Sequence, residues 1–284
     1  MRITKSIGQI REIIKAQKMR ENRVGFVPTM GFLHEGHLSL IRESVKNSDF
    51  TVVSIYVNPT QFAPDEDFEE YPRDLDRDIQ LCEKEGVDLI FSPEDEAMYP
   101  DDFQTNVIPG ELSNVLCGAS RPTFFRGVCT IVTKLLNIVR PDSAYFGQKD
   151  YQQYKIISRM VRDLNINTNI VSCPIIREQD GLAVSSRNMY LNSKQRDEAT
   201  CIYESLQKAR KMLEDGKRDS SEIKKEMKKI INRNETTEID YISIVNEDDL
   251  KTVSDISGAD KIVIAIAVYV GKARLIDNMV WVVK

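Results

Sequence analysis

Apolar, β-branched segments alternate with amphipathic helical patterns through the first 175 residues, and this alternation constrains the fold more than any other feature. The apolar strand patterns cover residues 23–28, 50–57, 87–91, 143–146 and 167–173. The helical patterns cover residues 36–46, 74–85, 127–139 and 150–164. Continuously apolar strands that alternate with helices usually pair in parallel and are buried on both faces. The sequence therefore predicts an α/β fold, with a parallel sheet that carries helices on both faces.

The pattern changes after about residue 175. Two charged amphipathic segments, 193–215 and 219–233, predict helices. Three strand patterns follow at 240–245, 261–270 and 274–283. Gly271 and Lys272 separate the last two strands and indicate a tight hairpin turn. We therefore expect two domains, residues 1–175 and residues 176–284, of which the second is a smaller C-terminal α+β domain.

Composition excludes several classes of protein. The chain of 284 residues is 41% hydrophobic and 29% charged, which is typical of a folded globular protein and not of a disordered one. Its 44 acidic and 39 basic residues give a net charge of −5, so no general basic field favours a nucleic-acid partner. The longest aliphatic run, 262–270, is far shorter than the ~20 residues of a membrane helix. We expect no nucleic-acid partner and no membrane partner.

The cysteines and the first residues indicate a cytoplasmic protein. The five cysteines are scattered and form no CxxC pair, so neither a disulfide framework nor a structural zinc site is indicated. The first residues lack the apolar segment of a secretory signal. We therefore expect reduced thiols in a cytoplasmic protein.

The only two histidines of the chain, His34 and His37, lie three residues apart between a predicted strand and a predicted helix. At such a junction the backbone N–H groups and the helix dipole favour an anion. Imidazoles at this spacing share one helix face, can donate to phosphate oxygens and can carry positive charge as negative charge develops. Two surface histidines at a helix start are the simpler alternative. A zinc pair is disfavoured because no HExxH motif and no third histidine are present.

A second junction of the same kind follows the predicted strand 143–146. Gly147 would allow a close backbone approach, and Lys149 would supply a mobile point charge suited to phosphate. The alternatives are that Asp150 merely caps the helix and that Lys149 is a solvated charge. Gln153 should point from the first helical turn in the direction of Lys149. Neither a P-loop nor a G-x-G-x-x-G motif is present, which disfavours a P-loop kinase and an ordinary dinucleotide dehydrogenase.

Four weaker patterns remain in the sequence. Ser185, Ser186 and Arg187 precede a long predicted helix and could wrap a polyphosphate, although a simple capped loop is the alternative. Gln61 follows the clearest strand and offers an uncharged donor and acceptor at the predicted ligand edge. The acidic run 65–70 is expected to be a solvated loop. Segment 121–127 is a basic loop that could cover a phosphate or simply carry surface charge.

Five motifs in this order resemble the pantothenate synthetase family, over nearly the whole chain. They are PTMGFLHEGH, VNPTQF, YPRDLDRD, FGQKDYQQ and DGLAVSSRN. The His34–His37 turn resembles the HIGH-type signature of the nucleotidyltransferase superfamily, which implies a Rossmann-like parallel sheet. The loop with Ser185, Ser186 and Arg187 resembles the mobile loop that closes over the triphosphate in that superfamily.

The resemblance implies an ATP-dependent ligase. Pantoate, β-alanine and ATP would give pantothenate, AMP and diphosphate through an enzyme-bound pantoyl adenylate, with Mg²⁺ as a cofactor. It implies catalytic roles for His34, His37 and Lys149, with His37 as the proton donor. It also implies a homodimer whose second domain serves as a lid.

The resemblance further implies a set of binding residues. ATP would contact Met30, Gly31, Phe32, Leu33, His34, Glu35, Gly36, His37, Gly147, Gln148, Lys149, Asp150, Ile176, Val184, Ser185, Ser186 and Arg187. The substrate-binding residues would be Gln61 and Gln153, with both on pantoate and Gln61 also near β-alanine. Asp78 would help to hold magnesium, unless it faces solvent.

Two positions depart from the family pattern. Val184 replaces the usual methionine before the serine pair, and the shorter side chain should be tolerated. Phe124 replaces a histidine in the 121–127 loop, which shifts any phosphate-binding role there to Arg121 and Arg126.

Two other functions remain open at this point. One is a nucleotidyltransferase that stops at the nucleotidyl product and joins no amine, which would need an acceptor pocket without the two glutamines. The other is a non-catalytic adenylate-binding or tRNA-binding module, and the acidic net charge disfavours tRNA.

Overall fold

The computed structural model describes residues 1–64, 66 and 68–283 and divides into two compact units. The first unit comprises Met1–Ser113 and Ser120–Pro174. The second comprises Asn114–Ala119 and the chain from Ile175 onward. The short segment Asn114–Ala119 therefore packs with the C-terminal part of the chain, which the expected division near residue 175 does not include. The predicted solvated loop at 65–70 lies partly outside the described residues.

The first unit is built on a six-stranded sheet in which every pairing is parallel. Its strands are β1 (Arg2–Thr4), β2 (Val24–Thr29), β3 (Phe50–Ile55), β4 (Leu89–Phe91), β5 (Ser143–Gly147) and β6 (Asn169–Cys173). Their order across the sheet is β1-β4-β3-β2-β5-β6. The predicted α/β class with a parallel sheet is confirmed.

Helices and short 3-10 turns connect these strands. The helices up to residue 174 are α1 (Ile7–Lys18), α2 (Glu35–Asn47), α3 (Leu75–Lys84), α4 (Asp95–Met98), α5 (Cys117–Ser120), α6 (Phe124–Val139) and α7 (Tyr151–Asp163). The 3-10 turns are Pro59–Gln61, Glu111–Ser113 and Gln148–Asp150. Helix α2 contacts α3, whereas α6 contacts α1 and α7, so the helices flank the sheet in two groups. No helix among the described residues is long and apolar enough to cross a bilayer.

Burial explains why the central strands are so apolar. Val27 of β2, Val53 of β3 and Ile90 of β4 are fully buried, and Leu38 and Ile41 of α2 belong to the same core cluster. Burying an aliphatic side chain of this size contributes roughly 1.5–3 kcal/mol. A strand that is covered by helices on both faces has no exposed face on which polar residues would alternate.

The sequence-based assignment missed β1 and α1. Strand β1 has only three residues and lies at the sheet edge, where Ile3 is 48% exposed, so its pattern is too short to recognise. Helix α1 does carry a signal. The Ser6 side chain accepts a hydrogen bond from the Gln9 N–H, and Ile10 and Ile14 are buried at a spacing of four.

From Ile175 onward the second unit is an α+β structure, in which α9 and α10 pack against an antiparallel sheet. The helices are α8 (Ser193–Glu198), α9 (Cys201–Glu214) and α10 (Ser220–Ile231), and the strands are β7 (Thr237–Asn246), β8 (Lys261–Val270) and β9 (Ala273–Val282). The strand order is β7-β8-β9. The 3-10 turns are Ser186–Tyr190 and Ile256–Gly258. Buried side chains of α9, α10 and the sheet, such as Leu206, Met227 and Ile264, form one core.

The prediction of one helix over 193–215 is wrong, because the chain forms α8 and α9 with a break at Ala199 and Thr200. The Thr200 N–H donates to the Asp197 carbonyl, and the Ile202 N–H donates to the Ala199 carbonyl. These hydrogen bonds join residues three apart in the sequence, whereas those of an α-helix join residues four apart. This tighter 3-10 geometry interrupts the α-helix.

Helix α6 makes a close backbone approach to the Pro59–Gln61 turn. A Cβ atom added at Gly127 would lie 2.2 Å from the carbonyl oxygen of Thr60. The Asn58 side chain also donates to the Gly127 carbonyl at 3.2 Å. Only glycine allows this approach, and the approach fixes the turn that carries Gln61.

We predict that Gly127→Ala destabilises the protein although alanine is the better helix former. Overpacking of this kind typically costs about 1–3 kcal/mol. The matched control is Gly8→Ala in the first turn of α1, where the nearest atom to an added Cβ is 3.7 Å away. That substitution should stabilise the protein, by up to about 1 kcal/mol. Urea unfolding midpoints measure both effects, and a Gly127→Ala midpoint at or above wild type would contradict the contact.

Candidate active site

The candidate site lies where the order of the strands reverses direction. Strands β2 and β5 are neighbours, and the chain continues from β2 to β3 and β4 on one side but from β5 to β6 on the other. In open parallel sheets, ligands bind outside the carboxyl ends of the strands at such a switch point. The segments that follow β2 and β5 contain the two histidines and Lys149.

The two imidazole rings are stacked on each other. Their centroids are 4.0 Å apart and their planes differ by 24°. The His34 backbone N–H donates to Nδ1 of His37 at 3.4 Å. In a neutral ring this leaves the proton on Nε2 of His37, as a hydrogen-bond donor. Nδ1 of His34 is buried and has no hydrogen-bond partner among the described residues.

Burial keeps both imidazoles uncharged at neutral pH. Desolvation, followed by the charge of Lys149, lowers the pKa of His34 to about 4. Burial, His34 and Lys149 together hold the pKa of His37 well below its usual value. Without a ligand the pair therefore offers neutral N–H donors. An arriving anion would raise both pKa values.

Lys149 provides the positive charge beside the histidine pair. It lies in the Gln148–Asp150 turn, and its Nζ is 3.9 Å from a carboxylate oxygen of Asp150. Asp150 occupies the N-cap position of α7 but makes no capping hydrogen bond, so the simple cap alternative is not what the structure shows. A Cβ added at Gly147 would contact nothing within 4 Å, which leaves open space beside this turn.

A buried carboxylate holds the strained turn before the histidines. Gly31 and Phe32 both have positive φ angles, +79° and +49°. Asp78 of α3 is fully buried, and its two oxygens accept hydrogen bonds from the N–H groups of Phe32 and Leu33 at 2.7 Å each. Burial raises the pKa of Asp78, against the lowering effect of these two bonds. Asp78 is thus a positioning residue, and neither magnesium binding nor exposure to solvent describes its contacts.

The other residues of this turn differ in how accessible they are. Leu33 lies in the hydrophobic core, and its carbonyl oxygen accepts from Nη1 of Arg77 at 2.8 Å. Its side chain and N–H are therefore directed into the protein. Met30, Phe32 and Gly36 are half-buried. Glu35 is exposed, and its carboxylate is paired with the guanidinium of Arg42.

A chain of hydrogen bonds orients the side chain of Gln61. Tyr99 Oη donates to Oδ1 of Asn58 at 2.8 Å, and Nδ2 of Asn58 donates to Oε1 of Gln61 at 3.0 Å. Nε2 of Gln61 is 2.9 Å from the sulfur of Met30. Gln61 is therefore brought to the turn after β2. Sequence reasoning missed Asn58, which ends the strand motif before Gln61, and Tyr99, which no local pattern marks.

The two glutamines of α7 have different surroundings. Gln152 is buried and donates to the carbonyl oxygen of Leu112 at 2.8 Å, so it holds the chain in place. Gln153 is half-buried on the first turn of the helix. Its predicted direction, towards Lys149, stays a prediction.

The 121–127 loop supports the Gln61 turn. Arg121 is paired with Glu66, donates to the carbonyl oxygen of Gln61 at 3.2 Å and lies 3.9 Å from the ring centre of Phe124. The phenylalanine that replaces the family histidine thus forms a cation–π contact. These contacts do not support the phosphate-binding role expected for Arg121. Arg126 is exposed on the first turn of α6.

The remaining predicted ATP contacts lie in the second unit. The Val184 N–H donates to the Ile176 carbonyl at 3.0 Å, which pairs these two segments. The Ser185 side chain caps the following 3-10 turn by accepting from the Arg187 N–H at 3.3 Å. Ser186 and Arg187 form the start of that turn.

The described residues contain no cluster of three or more metal-ligating side chains. The five cysteines are all buried, and none forms a disulfide bond among the described residues. A magnesium ion held by protein side chains alone therefore has no fitting donor set in the described part of the chain.

The fold and the two segments at its switch point define an α/β protein with a candidate anion-binding site. A family model described as pantoate-beta-alanine ligase matches residues 2–280. A pantothenate synthetase from Thermosipho melanesiensis is 55% identical over 280 residues, which cover 99% of either chain. The chain therefore belongs to the pantoate–β-alanine ligase family.

Solved structures agree with this assignment. The pantothenate synthetase from Thermus thermophilus is 41% identical with a TM-score of 0.92, covering 98% of this chain and 99% of that one. The pantoate-beta-alanine ligase from Francisella tularensis, complexed with beta-gamma ATP and beta-alanine, is 37% identical with a TM-score of 0.80. That match covers 98% of this chain and 97% of the other.

We predict that Asp78→Asn loosens the turn before the histidines. The amide offers only one acceptor oxygen, so one of the two backbone N–H donors loses its partner, at a cost of about 1–3 kcal/mol. Hydrogen exchange at Phe32 and Leu33 should accelerate, and the urea midpoint should fall. The matched control is Asp76→Asn, an exposed residue of the same helix, which should change neither quantity. Unchanged exchange in Asp78→Asn would contradict the positioning role.

Proposed function

We propose that this protein joins (R)-pantoate to β-alanine at the expense of ATP, releasing AMP and diphosphate, in pantothenate and coenzyme A biosynthesis. The observation that carries the proposal is the placement of Lys149 beside the stacked histidine pair at the switch point of the sheet. Family membership and the Francisella relative that binds beta-gamma ATP and beta-alanine support the same substrates.

The first chemical step activates the pantoate carboxylate. A carboxylate oxygen attacks the α-phosphorus of ATP, the new P–O bond forms, and the bond to diphosphate breaks. Negative charge develops on the phosphate oxygens and on the departing diphosphate. The ammonium of Lys149 and the Nε2–H donor of His37 are suited to that charge, since fixed donors in a water-poor site need little reorganisation. No protein nucleophile is required.

The neutral state of the histidines suits ATP binding. The triphosphate brings negative charge to rings whose pKa values burial has lowered, and this charge favours their protonation. His34 and His37 can therefore donate hydrogen bonds first and gain positive charge as diphosphate separates. We assign the proton-donor role to His37.

The second step transfers the acyl group to the amine. The neutral amino group of β-alanine attacks the acyl carbon of pantoyl adenylate and the C–N bond forms. The C–O bond to AMP then breaks, and the nitrogen releases one proton to water. We propose that Gln61 and Gln153 bind pantoate, with Gln61 also near β-alanine. An uncharged amide can hold the hydroxyl groups of pantoate without a strong ion pair to the carboxylate that must attack.

We place the pantoate site on the first unit, together with the ATP contacts from Met30–His37 and Gly147–Asp150. The family resemblance supports further ATP contacts at Ile176, Val184, Ser185, Ser186 and Arg187. Positioning and electrostatics would supply most of the catalysis.

Magnesium would enter as part of the ATP substrate. Mg²⁺ commonly keeps several waters and is bound through substrate phosphates with few protein ligands. This mode agrees with the lack of a fitting donor cluster among the described side chains.

We also propose that the protein is a cytoplasmic homodimer. The five buried cysteines, which form no disulfide bond among the described residues, suit a reducing compartment. The homodimer follows from the family resemblance alone, and light scattering after gel filtration would measure it.

We predict pantoate-dependent exchange of diphosphate into ATP in the absence of β-alanine, with AMP as the product of the full reaction. Lys149→Ala should reduce the exchange rate by about 10²–10³-fold with the fold retained, because a charge aimed at the transition state is lost. The matched control is Lys46→Ala, an exposed lysine at the end of α2, which should exchange at the wild-type rate.

Three results would contradict the proposal. One is formation of ADP, which excludes the adenylate route. Another is a near-normal exchange rate in Lys149→Ala. The third is exchange without joining of β-alanine, which would favour a nucleotidyltransferase that stops at the nucleotidyl product.

A further inference from the structure

The loop that carries Ser185, Ser186 and Arg187 is tied down by side chains that the proposed reaction does not use. We define the anchored loop as residues 178–188. Its base is closed by a β-bridge between Arg177 and Ala183, and the Glu178 N–H donates to the Leu182 carbonyl at 2.8 Å. Hydrogen bonds at the base alone would leave the position of the loop on the second unit open.

Arg177 joins the anchored loop to the antiparallel sheet. Its Nη1 donates to Oδ2 of Asp277 at 2.6 Å and its Nη2 donates to Oδ1 at 2.9 Å. Nη1 also donates to the carbonyl oxygen of Gly181 at 3.0 Å, within the loop itself. One guanidinium group therefore binds the tip of the β-bridge segment and a carboxylate of β9, 100 residues away in the sequence.

The ion pair is largely removed from water. The side chain of Asp277 is 2% exposed and that of Arg177 is 22% exposed. Oδ1 of Asp277 accepts a further hydrogen bond from the Asn278 N–H at 2.7 Å, which fixes the plane of the carboxylate. A desolvated ion pair adds little net stability. Its two parallel hydrogen bonds, however, allow only one arrangement of the loop segment relative to β9.

The ring of Tyr203 on α9 packs against the Arg177 guanidinium. The Arg177 guanidinium lies 4.5 Å from the ring centre. A Cβ added at Gly181, which has a φ of +93°, would lie 1.9 Å from the ring. The anchored loop thus lies directly on α9, and only glycine fits at the contact.

A second clamp holds the outer part of the anchored loop. Nη2 of Arg196 on α8 is 2.6 Å from Glu178 and 2.8 Å from Asp180. The Asn188 side chain donates to Glu178 and to the Ala183 carbonyl, both at 3.1 Å. Glu178 at the start of the anchored loop and Asn188 at its end are therefore held together by side-chain contacts.

We propose that Arg177 and Asp277 are positioning residues, which fix the anchored loop so that Ser185, Ser186 and Arg187 meet the triphosphate in one geometry. This inference rests on the proposed function. It adds that the affinity of the protein for ATP depends on the Arg177–Asp277 ion pair, which acts through the loop and does not contact ATP itself. Small displacements of a positioning group can cost about 10²-fold in rate.

The test uses the full-length protein and two variants of the pair. Asp277→Asn removes the charge opposite the guanidinium. Arg177→Lys keeps a cation there but loses the fork that reaches Gly181 and both carboxylate oxygens, since an ammonium is a single point of charge. Both variants should bind ATP more weakly and lose about 10²-fold in diphosphate exchange. Arg177→Lys should unfold near the wild-type temperature, and it decides the question if Asp277→Asn fails to fold.

The matched control is Arg218→Lys, which makes the same change of side chain in the same unit. Nη1 of Arg218 donates to the carbonyl oxygens of Leu213 and Lys217 at 2.9 and 3.0 Å, outside the anchored loop. This substitution should leave the exchange rate within about twofold of wild type, because effects of distant sites are independent.

A double-mutant cycle with Arg187→Ala separates positioning from simple loss of stability. Calorimetric titration with ATP measures the dissociation constant of each variant. Arg187→Ala should weaken binding by about tenfold in the wild type and by much less in Arg177→Lys, because a displaced loop no longer brings Arg187 to ATP. Equal factors in both backgrounds, or wild-type exchange in Arg177→Lys, would overturn the inference. Failure of the proposed function is distinguishable, since the wild-type protein would then form no pantothenate.

Discussion

The proximity of one ammonium group to two half-buried, uncharged imidazoles governs the chemistry of the first unit. Lys149 and the histidines reach the same place because β2 and β5 are neighbours in a parallel sheet whose order reverses between them. Burial removes water from the rings, which lowers their pKa values and also strengthens every charge interaction nearby. A polyanion that enters such a site meets donors that need not rearrange.

Buried polar side chains hold three of the functional segments, and two of these side chains, Asp78 and Asp277, come from distant parts of the chain. Asp78 fixes the turn before the histidines, and the Asn58 amide orients Gln61. Asp277 fixes the base of the anchored loop through Arg177. These contacts place loop residues with the precision of secondary structure, which electrostatic catalysis requires.

Local patterns predicted the parts of the fold that local physics decides. The apolar runs of β2 and β3, the helices that follow them and the hairpin at Gly271 all follow from periodicity and turn chemistry. Strand β1 was missed because three residues are too few to show an alternating pattern. The break at Ala199 was missed because the change to 3-10 hydrogen bonding has no marker residue in the sequence.

The motifs also predicted that the histidines and Lys149 follow strand ends, but they did not predict the state of charge of the histidines. Neutral imidazoles result from burial, and burial depends on packing that no motif encodes. Asp78 lies in an amphipathic helix as one acid among several, and nothing nearby in the sequence shows that it alone is buried. Arg177 and Asp277 are 100 residues apart, so their pairing depends on the folded second unit.

Titration of the two histidines by nuclear magnetic resonance measures their state of charge directly, because the chain contains no others. We expect a pKa of about 4 for His34 and a strongly lowered pKa for His37 in the ligand-free protein. Lys149→Gln should raise both pKa values, since it removes a positive charge that opposes protonation, whereas Lys46→Gln should leave them unchanged. Two histidines that titrate near the usual 6.5 and do not respond to Lys149→Gln would contradict the account.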